Sequence, residues 1–572
     1  MKKIFLLFLI SFFYHVSSAQ TSAIVGAGKA VDPYHYSQVK TAAYKHASIA
    51  TAHPLASEVG AAIMKMGGNA FDAAISAQLT LAVVYPAAGN IGGGGFLIGR
   101  EKNGKIIALD YREEAPGNAS KDMYLDKDGN AIDSLSKIGH LAGGVPGTVA
   151  GLFASYKYAK LPFQQLIQPA IDLAKNGFVL TKREANGLNY ARRDFIHHST
   201  KPTAFVKSEN WKEGDTLFQP DLAKTLERIR DQGEKGFYEG ETAKLIVDEM
   251  KRANGIITKE DLKNYKAKER PAIEFLYRGY SIISFPPPSS GGLLLAEMLG
   301  MIEDYPVGSF GFQTAKSVQL MVEAERRAYA DRAEHMGDPD FWNVPLKALM
   351  SKSYLKQRMS DFEFGKAGNS KNIKAGDVYE SKQTTHLSIM DEEGNMVSVT
   401  TTLNNSYGSR TVIGGAGFLL NDEMDDFSVK PGVPNMYGAV GGAANAIEPG
   451  KRMLSSMTPT LVLKDKKPFM VVGTPGGTTI PTSVFQSIVN VIDFGMNAED
   501  AVNKPKFHHQ WLPDEVMVEN GFPQETITAL SKMGYKISRE NSIGRTELIL
   551  IDASENMQTA GDKRGEDSVA GF

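Results

Sequence analysis

The chain has 572 residues, of which 42% are hydrophobic, 9% aromatic and 22% charged, a composition typical of a folded protein and unlike a disordered or fibrous one. Its 63 Lys and Arg against 65 Asp and Glu leave a net charge of -2, so charge gives no reason to expect nucleic acid or an anionic membrane surface as a partner. No cysteine is present, which excludes disulfides, thiolate metal sites and a cysteine nucleophile, and leaves nucleophilic chemistry to Ser, Thr, Lys or a carboxylate.

The N-terminus has the pattern of a secretory signal peptide. Two lysines precede an apolar run over residues 4–14, and Ser17-Ser18-Ala19 supplies small residues for a signal peptidase. The run is shorter than the ~20 residues that a membrane span requires. We therefore expect a signal peptide over residues 1–19, a mature start at Gln20, and a periplasmic or secreted protein without a membrane span.

The sequence then alternates helical and strand patterns without an obvious linker. Residues 54–81 have helical periodicity that is interrupted at Gly67-Gly68, which predicts two helices joined by a tight turn. Four glycines over residues 92–95 lead into a short strand at 96–100. Because no Gly-Lys-Ser/Thr follows and no helix begins there, we interpret the glycines as a place of close backbone packing and not as a phosphate-binding loop.

The rest of the chain changes from helical patterns to strand patterns at about residue 384. Residues 142–158 predict another helical stretch, and the pattern between residues 161 and 380 is mostly amphipathic helix. Beyond residue 384, alternating segments predict two hairpins. A helix-rich first part combined with these hairpins indicates a layered α/β architecture. The helical region includes residues 317–333, and the hairpin strands are residues 385–389 with 396–403 and 460–464 with 468–473.

Two threonines open the first of these strands. Ordinary β-propensity explains Thr384 and Thr385 without any function. The alternative is that cleavage after Gln383 makes Thr384 an N-terminal residue. Its own α-amine, with a pKa of about 7.7–8.0, is then a general base within reach of its Oγ. The residues alone leave both interpretations open.

Glycine-rich and polar segments follow, each of which a turn or a helix cap also explains. Gly476-Gly477 offers two backbone N–H groups that approach a ligand closely, as an oxyanion hole requires. The adjacent pair His508-His509 is a poor joint ligand set, because neighbouring side chains of a strand point to opposite faces. We expect no dedicated metal site and no cofactor.

Several segments resemble the gamma-glutamyltransferase (gamma-glutamyl transpeptidase) family. They are QTTHLSIMDEEGNMVSVTTTLNNSYGS, GFLLNDEMDDFSVKPGVPN, KRMLSSMTPT and GTPGGTTIPT, with DYREEAP, GGVPGTVAG, PPPSSGG and AYADRAEHMGDPDF upstream, in consistent order over nearly the whole mature chain. The resemblance implies the N-terminal-nucleophile hydrolase fold, a four-layer αββα sandwich of the α/β (α+β) class. It also implies self-cleavage of one precursor at Gln383-Thr384. The products are a large subunit of residues 20–383 and a small catalytic subunit of residues 384–572, which form one interleaved globular unit.

The same motifs imply a role for each of a set of residues. Thr384 is the nucleophile in self-cleavage and in catalysis, and Thr402 hydrogen-bonds to it. Gly476 and Gly477 form the oxyanion hole. A γ-glutamyl group carries a carboxylate and an ammonium on one carbon, so its site needs a cation and an anion side by side. The substrate-binding residues implied are Arg112, Ser455 and Ser456 for the α-carboxylate, Asn404, Glu423 and Asp426 for the α-ammonium, and Tyr437 as a shield over the bound glutamyl group.

Two features depart from parts of the family. Glu423 stands where some bacterial members carry Gln, which adds a formal negative charge beside the expected ammonium. Residues 426–437 resemble the version with a lid loop, which other bacterial relatives lack.

The activity implied is γ-glutamyl transfer. Thr384 attacks the γ-amide of glutathione or another γ-glutamyl compound, and the glutamyl group passes to water or to an amino acid or dipeptide. One alternative is an acylase of the same fold that acts on glutaryl or cephalosporin-type amides; Asp426 argues against it, because a glutaryl group has no α-ammonium. The other is an uncleaved, non-catalytic protein that binds glutamyl ligands, against which the intact Thr384 and its polar surroundings argue.

Overall fold

A computed structural model describes residues 31–373, 384–429 and 442–572. The expected signal peptide, Gln383 and Tyr437 lie outside the described residues. The strands of the described residues are β1 (Thr41–Tyr44), β2 (Ala47–Thr51), β3 (Gly94–Arg100), β4 (Ile106–Tyr111), β5 (Phe178–Val179), β6 (Thr216–Leu217), β7 (Lys268–Glu269), β8 (Ile273–Tyr277), β9 (Tyr280–Ser284), β10 (Thr385–Asp391), β11 (Met396–Thr402), β12 (Thr460–Lys464), β13 (Lys467–Gly473), β14 (Phe507–His508), β15 (Val516–Glu519), β16 (Ile537–Glu540), β17 (Glu547–Ile551), β18 (Met557–Gly561) and β19 (Ser568–Gly571).

Helices flank these strands on both sides. They are α1 (Pro54–Lys65), α2 (Ala70–Val84), α3 (Asp133–Lys137), α4 (Thr148–Tyr156), α5 (Phe163–Asn176), α6 (Lys182–His198), α7 (Pro220–Gln232), α8 (Lys235–Tyr238), α9 (Gly240–Arg252), α10 (Lys259–Asn264), α11 (Gly291–Ile302), α12 (Val307–Phe310), α13 (Ala315–His335), α14 (Leu346–Leu349), α15 (Lys352–Arg358), α16 (Thr479–Ile492), α17 (Ala498–Asn503) and α18 (Gln524–Met533), with short 3-10 helices at His140–Ala142, Glu423–Asp426 and Ala443–Asn445.

Two seven-stranded sheets form the centre of the molecule. The first has the strand order β19-β2-β10-β11-β3-β4-β7, and the second has the order β1-β18-β17-β13-β12-β9-β8. The hairpin β10–β11 lies in the first sheet and the hairpin β12–β13 lies in the second, each paired antiparallel as the alternation of the sequence predicts. The two predicted hairpins are therefore confirmed.

The side chains of β10 alternate between the two faces of the first sheet, and each face packs against a different layer. Leu387 and Ile389 are fully buried in a cluster with the apolar residues of α1 and α2. His386 and Ser388 point to the other face, because successive side chains of a strand alternate. On that face Ser388 Oγ donates to the carbonyl of Glu547, in β17 of the second sheet, over 3.0 Å. The first sheet thus has helices on one side and the second sheet on the other.

The second sheet is covered on its outer face by further helices. Val462 of β12 and Val472 of β13 belong to an apolar cluster with the buried residues of α11, α13 and α16. The layers therefore follow one another as helix, sheet, sheet and helix. This confirms the predicted αββα sandwich.

The helix predictions are confirmed in outline, with one error. The pair α1 and α2 is separated at Gly67, whose φ of 91° suits a tight turn, and α13 contains the predicted helix at 317–333. The strands β8 and β9, however, lie in the region expected to be mostly helical. They are joined by Arg278 (φ 51°) and Gly279 (φ 84°), a pair of positive φ angles that a two-residue hairpin turn favours. This Arg-Gly turn was the missed signal.

The four glycines at 92–95 serve close packing, as expected. A Cβ on Gly93 would lie 2.1 Å from the carbonyl oxygen of Thr402, and one on Gly95 would lie 2.4 Å from that of Thr400. Any side chain larger than hydrogen would push β3 away from β11. The glycines therefore hold the end of β11, with Thr402, against its neighbouring strand.

Segments from both predicted subunits contribute to both sheets. β10 and β11, which follow residue 384, lie between β2 and β3, which precede it. In the second sheet β12, β13, β17 and β18 lie between β1 and β9. Within residues 31–373, 384–429 and 442–572, no helix has the length and apolar character needed to cross a membrane.

Candidate active site

Thr384 lies directly before β10 and is 5% exposed. β10 pairs with β11 so that Thr385 is opposite Thr401. One further step of this register sets Thr384 beside Thr402, and side chains in such positions are ~4.5–5.5 Å apart at Cβ. Thr402 Oγ1 accepts a hydrogen bond from the N–H of Asn404 over 2.8 Å. The hairpin thus brings the predicted nucleophile next to the residue predicted to hydrogen-bond to it.

The turn between β13 and α16 contains the two glycines predicted for the oxyanion hole. Gly476 has a φ of 139° and Gly477 a φ of 58°, angles that a residue with a side chain rarely adopts. Both residues are buried. In the described part of the chain, no backbone carbonyl accepts a hydrogen bond from either N–H. Buried N–H groups are nearly always paired, so two such groups without a backbone acceptor are compatible with the predicted oxyanion hole.

Thr384 and Gly476 line the same cavity, which has a volume of about 270 Å³. The predicted nucleophile and one of the predicted oxyanion donors therefore face a common space. Such a space is where a carbonyl carbon attacked by Thr384 Oγ would develop its negative oxygen.

Arg112, which directly follows β4, is the centre of a buried charged cluster. Its Nη1 lies 2.5 Å from Glu423 Oε2, and its Nη2 pairs with Asp426. The carboxylate of Glu113 is 3.6 Å from Nη1, and the carbonyl of Met453 accepts from Nε over 3.3 Å. The structure thus joins the residue predicted to bind a carboxylate to two of the residues predicted to bind an ammonium.

This Arg112 cluster holds more carboxyl groups than its single guanidinium can neutralise. Burial raises the pKa of Glu423 well above its usual value, and burial raises the pKa of Glu113 to about 8. Arg112 lowers both pKa values, but its one charge is shared among three carboxyl groups. We infer that the cluster retains at least one proton at neutral pH. Burial thus favours the uncharged form of Glu423, while the guanidinium of Arg112 favours the charged form.

Asn404 connects the nucleophile hairpin to the Arg112 cluster. Its φ of 74° lies in the left-handed region, which Asn tolerates better than most residues. Its side-chain N–H donates to the carbonyl of Asp422 over 3.0 Å, and Asp422 directly precedes Glu423. Thr402, Asn404 and Glu423 thus form a continuous path from the end of β11 to Arg112.

The two predicted serines lie in the segment that approaches Arg112. The carbonyl of Leu454 accepts from Arg112 Nη2 over 3.5 Å. The hydroxyl of Ser455 accepts from the N–H of Met457 over 3.2 Å, and that of Ser456 accepts from Arg332 over 3.1 Å. Ser455 is thus held by a neighbour within this segment, and Ser456 is held by Arg332 of α13.

Two residues of the site were missed from the sequence. Glu113 lies inside DYREEAP, where the run Arg-Glu-Glu was an available signal. Arg183, the second residue of α6, lines the cavity of Thr384, and no local motif marks it. Among the residues that the structure describes, no group of three or more His, Asp or Glu side chains is arranged to hold a metal ion.

Comparison with known proteins decides the family. The family model described as gamma-glutamyltranspeptidase matches residues 56–572. This chain belongs to the gamma-glutamyltranspeptidase family. The match confirms the resemblance that the motifs indicate, and it confirms the expected class of enzyme, a gamma-glutamyltransferase.

Named relatives of this gamma-glutamyltranspeptidase span nearly its full length. The glutathione hydrolase proenzyme of Escherichia coli is 46% identical over 534 residues, which are 92% of each chain. That of Pseudomonas aeruginosa is 44% identical over 91% of this chain and 93% of the relative. The acylase ACY 1 proenzyme of Pseudomonas sp. strain SE83 is 34% identical over 87% of this chain and 88% of the relative.

Solved structures show the same fold. Helicobacter pylori gamma-glutamyltranspeptidase matches with a TM-score of 0.56 and 47% identity, over 56% of this chain and 93% of the matched chain. The cephalosporin acylase of Bacillus halodurans matches with a TM-score of 0.82 and 26% identity, over 95% of this chain and 99% of the matched chain. The N-terminal-nucleophile hydrolase fold is therefore confirmed, and acylases are shown to share it.

Proposed function

We propose that this gamma-glutamyltranspeptidase is an exported glutathione hydrolase and transferase that cuts itself between Gln383 and Thr384. In this proposal residues 1–19 are removed as a signal peptide, and residues 20–383 and 384–572 become the large and small subunits. The substrates are glutathione and other γ-glutamyl compounds, with water, amino acids or dipeptides as acceptors. The observation that carries the proposal is the position of Thr384, which lies at the start of a buried strand and faces a cavity with Gly476.

The chemistry uses one hydroxyl and one amine. Thr384 Oγ attacks the γ-carbonyl carbon while the α-amine of Thr384 takes the hydroxyl proton, and the N–H groups of Gly476 and Gly477 stabilise the oxyanion. The C–N bond then breaks, the leaving amine takes the proton, and a γ-glutamyl ester remains on Thr384. Water or an acceptor amine attacks this ester in the same way, which frees the Thr384 hydroxyl. Self-cleavage begins with attack of the same hydroxyl on the carbonyl of Gln383, with the amine of Thr384 as the leaving group, which gives an ester between the two residues. Water then hydrolyses this ester, which releases the carboxylate of Gln383 and the hydroxyl of Thr384.

Recognition of the glutamyl group relies on the Arg112 cluster. The guanidinium of Arg112 binds the α-carboxylate, with the segment of Ser455 and Ser456 beside it, and the α-ammonium lies against Asn404, Glu423 and Asp426. A substrate that carries both an α-carboxylate and an α-ammonium can pair with the guanidinium and with the carboxyl groups of the cluster. Tyr437 as the shield over the substrate stays a prediction.

An acylase is the second candidate, because acylases are among the relatives and share the fold. The pairing of Asp426 with Arg112 favours γ-glutamyl substrates over glutaryl ones. A glutaryl group would occupy the guanidinium with its carboxylate and leave the neighbouring carboxyl groups without a cation. Leaving buried charges unpaired is costly and so confers specificity.

Intact mass measurement under denaturing conditions, combined with two variants at Thr384, tests the proposed nucleophile. Native protein should give two chains, the lighter beginning at Thr384. Thr384→Ala should give one uncut chain, and its γ-glutamyl-p-nitroanilide hydrolysis should fall by at least about a thousandfold, because the nucleophile and its base are both lost. Thr384→Ser is the matched control and should still be cut. Normal cleavage of Thr384→Ala would refute the assignment.

The choice of acyl group is tested on the native enzyme with γ-glutamyl-p-nitroanilide and glutaryl-p-nitroanilide. We expect a higher kcat/KM for the γ-glutamyl compound. Faster glutaryl turnover would overturn the proposed substrate while leaving the nucleophile in place. A native chain that stays uncut and binds glutamate without turnover would identify a binding protein.

A further inference from the structure

The cavity of Thr384 also contains an exposed arginine that the proposed mechanism does not use. Its walls are the first turn of α6, the turn between β13 and α16, and the loop from β16 to β17. Two arginines, Arg183 and Arg545, line the cavity together with Thr384 and Gly476, and Glu540 is the one acidic residue among the described lining residues.

This cavity is separate from the place proposed for the glutamyl group. Among its described lining residues there is no member of the Arg112 cluster. Charged groups therefore lie on two sides of Thr384. The Arg112 cluster lies along the path through Asn404, and the cavity lies beside Gly476. If the charged end of the glutamyl group is bound at Arg112, the amine on the other side of the scissile bond extends away from Arg112. The cavity is the space available for it.

The two arginines of the cavity differ in how their charges are compensated. Burial by itself would lower the pKa of Arg545, but its contacts with Tyr85 and the charge of Asp567 outweigh burial and raise it. The positive charge of Arg545 is therefore balanced by groups of the protein itself. It is not available for a ligand without breaking these contacts.

Arg183 is compensated less than Arg545. It is exposed, and its Nη1 donates to the carbonyl of Arg564 over 3.0 Å. Glu566 is close enough for Arg183 to lower its pKa, against the larger raising effect of burial. Within the described residues, however, no carboxylate oxygen forms an ion pair with Arg183 at 4.0 Å or less. Arg183 thus lines the cavity with a guanidinium that no carboxylate of the described residues pairs with directly.

The backbone that carries Arg183 is held firmly. Thr181 caps α6, with its Oγ1 accepting from the N–H of Glu184 over 3.2 Å while Glu184 accepts from the N–H of Thr181 over 2.8 Å. Glu184 also pairs with the buried His53 over 3.0 Å. The start of the helix is therefore fixed on both sides of Arg183. This fixes the point from which the side chain of Arg183 extends, and a guanidinium can bind a carboxylate with two parallel hydrogen bonds.

We propose that Arg183 binds the free carboxylate of the leaving group and of the acceptor. In glutathione that carboxylate belongs to the C-terminal glycine, and in an acceptor it is that of the amino acid or peptide. Arg183 thereby selects substrates that carry a carboxylate on the amine side of the scissile bond. This inference rests on the proposed function, since it requires γ-glutamyl transfer through Thr384.

The test compares substrates with and without that carboxylate in native enzyme, Arg183→Ala, Arg183→Lys and the control Lys182→Ala. Lys182 is the exposed neighbour of Arg183 on α6 and is not among the cavity's lining residues. The first readout is the kcat/KM for glutathione divided by that for γ-glutamyl-p-nitroanilide, whose leaving group has no carboxylate. The second is the KM for the acceptor glycylglycine against that for glycylglycine amide.

We expect the first ratio to fall about fivefold in Arg183→Ala, the size expected for one solvent-exposed charge pair. The KM for glycylglycine should rise by the same factor, toward that of the amide. In both readouts Arg183→Lys should lie between Arg183→Ala and native enzyme, because lysine keeps the positive charge but cannot form the two parallel hydrogen bonds of a guanidinium. Lys182→Ala should match native enzyme in both readouts.

Three outcomes separate the inference from the proposed function. If Arg183→Ala keeps both the native ratio and the native preference for glycylglycine over its amide, the role of Arg183 is refuted and γ-glutamyl transfer stands. If native enzyme accepts glycylglycine and its amide with equal KM, the role is refuted even where the alanine variant does not fold. If native enzyme does not turn over γ-glutamyl-p-nitroanilide, the proposed function itself fails.

Discussion

Glu113 shows how burial sets the charge of a single residue. Its pKa rises from the usual 4.5 to about 8, chiefly because its side chain is buried, although Arg112 and Arg452 lower it. The folded protein therefore holds a proton that the unfolded chain has released. Its contribution to the free energy of unfolding is fully present below pH 4.5 and is lost as the pH rises toward about 8.

Replacing Glu113 by Gln tests this proton. The amide cannot ionise, so the Tm of the variant minus that of the parent should increase between pH 5 and pH 8, by about 1 °C for each kcal/mol recovered in a chain of this length. The measurement is thermal unfolding of both proteins in the Thr384→Ala background, where the chain should be uncut. Glu241→Gln, at an exposed position in the first turn of α9, is the control and should show a constant difference. A constant difference for Glu113→Gln would contradict the retained proton.

Candidate site residues that lie in contiguous motifs could be named from the sequence. Residues that reach the site only through the fold could not. Thr384, Arg112 and Gly476 were named as candidates because each lies in a run of residues that resembles the family. Arg183 could not be found in this way, since α6 reaches the cavity only through the fold. The retained proton of the cluster likewise depends on burial, which no motif states.

Among the elements, β13 and β10 approach each other closely where Gly473 faces His386. A Cβ at position 473 would lie 2.2 Å from the ring of His386. The ring is fixed by Thr400 at 2.9 Å and Ser388 at 3.1 Å, and burial lowers its pKa to about 3, so it is neutral. It therefore has little freedom to move aside.

We predict that Gly473→Ala lowers the free energy of unfolding by ~1–3 kcal/mol, the usual cost of overpacking a core. It should also slow self-cleavage, because β10 carries Thr384 at its start. Thermal unfolding and the time course of chain cleavage measure the two effects. The double variant Gly473→Ala/His386→Ala removes the clash and should regain part of the lost Tm relative to His386→Ala alone. A native Tm for Gly473→Ala would show that the sheets separate without cost.

Elements with a clear period were predictable from the sequence, and strand order was not. The hairpins β10–β11 and β12–β13 alternate in hydrophobicity around polar turns, and α1 and α2 are divided at Gly67. By contrast, β8 and β9 were missed, because their short alternation lies within a long helical region. Nothing local indicates that β19 pairs with β2, some five hundred residues away in the chain.

On the scale of the whole molecule, both sheets contain strands from both sides of the proposed cleavage site. We predict that the two chains stay together after cleavage, because separating them would break the pairing of β2 with β10 and of β3 with β11. Native protein should elute as one species in size-exclusion chromatography, at the same volume as the uncut Thr384→Ala control. Two separate peaks without denaturant would contradict this.

The molecule as a whole was predictable only through resemblance. Composition excluded whole classes of partner and of chemistry, and periodicity indicated layers of helix and strand. Neither fixed the number of layers or the interleaving of the two segments, since these follow from long-range pairing. The family motifs implied the αββα sandwich, which the structure confirms.

The proposed cleavage also changes whether the protein can refold. While the chain is continuous, β10 finds its place between β2 and β11 as part of the same molecule, and unfolding can be reversed. In the proposed cleavage residues 383 and 384 are separated, and the same pairing then needs two independent chains to meet and to interdigitate. We therefore expect unfolding of the cleaved enzyme to be practically irreversible, with a working lifetime governed by the height of the barrier to the first unfolding and not by an equilibrium.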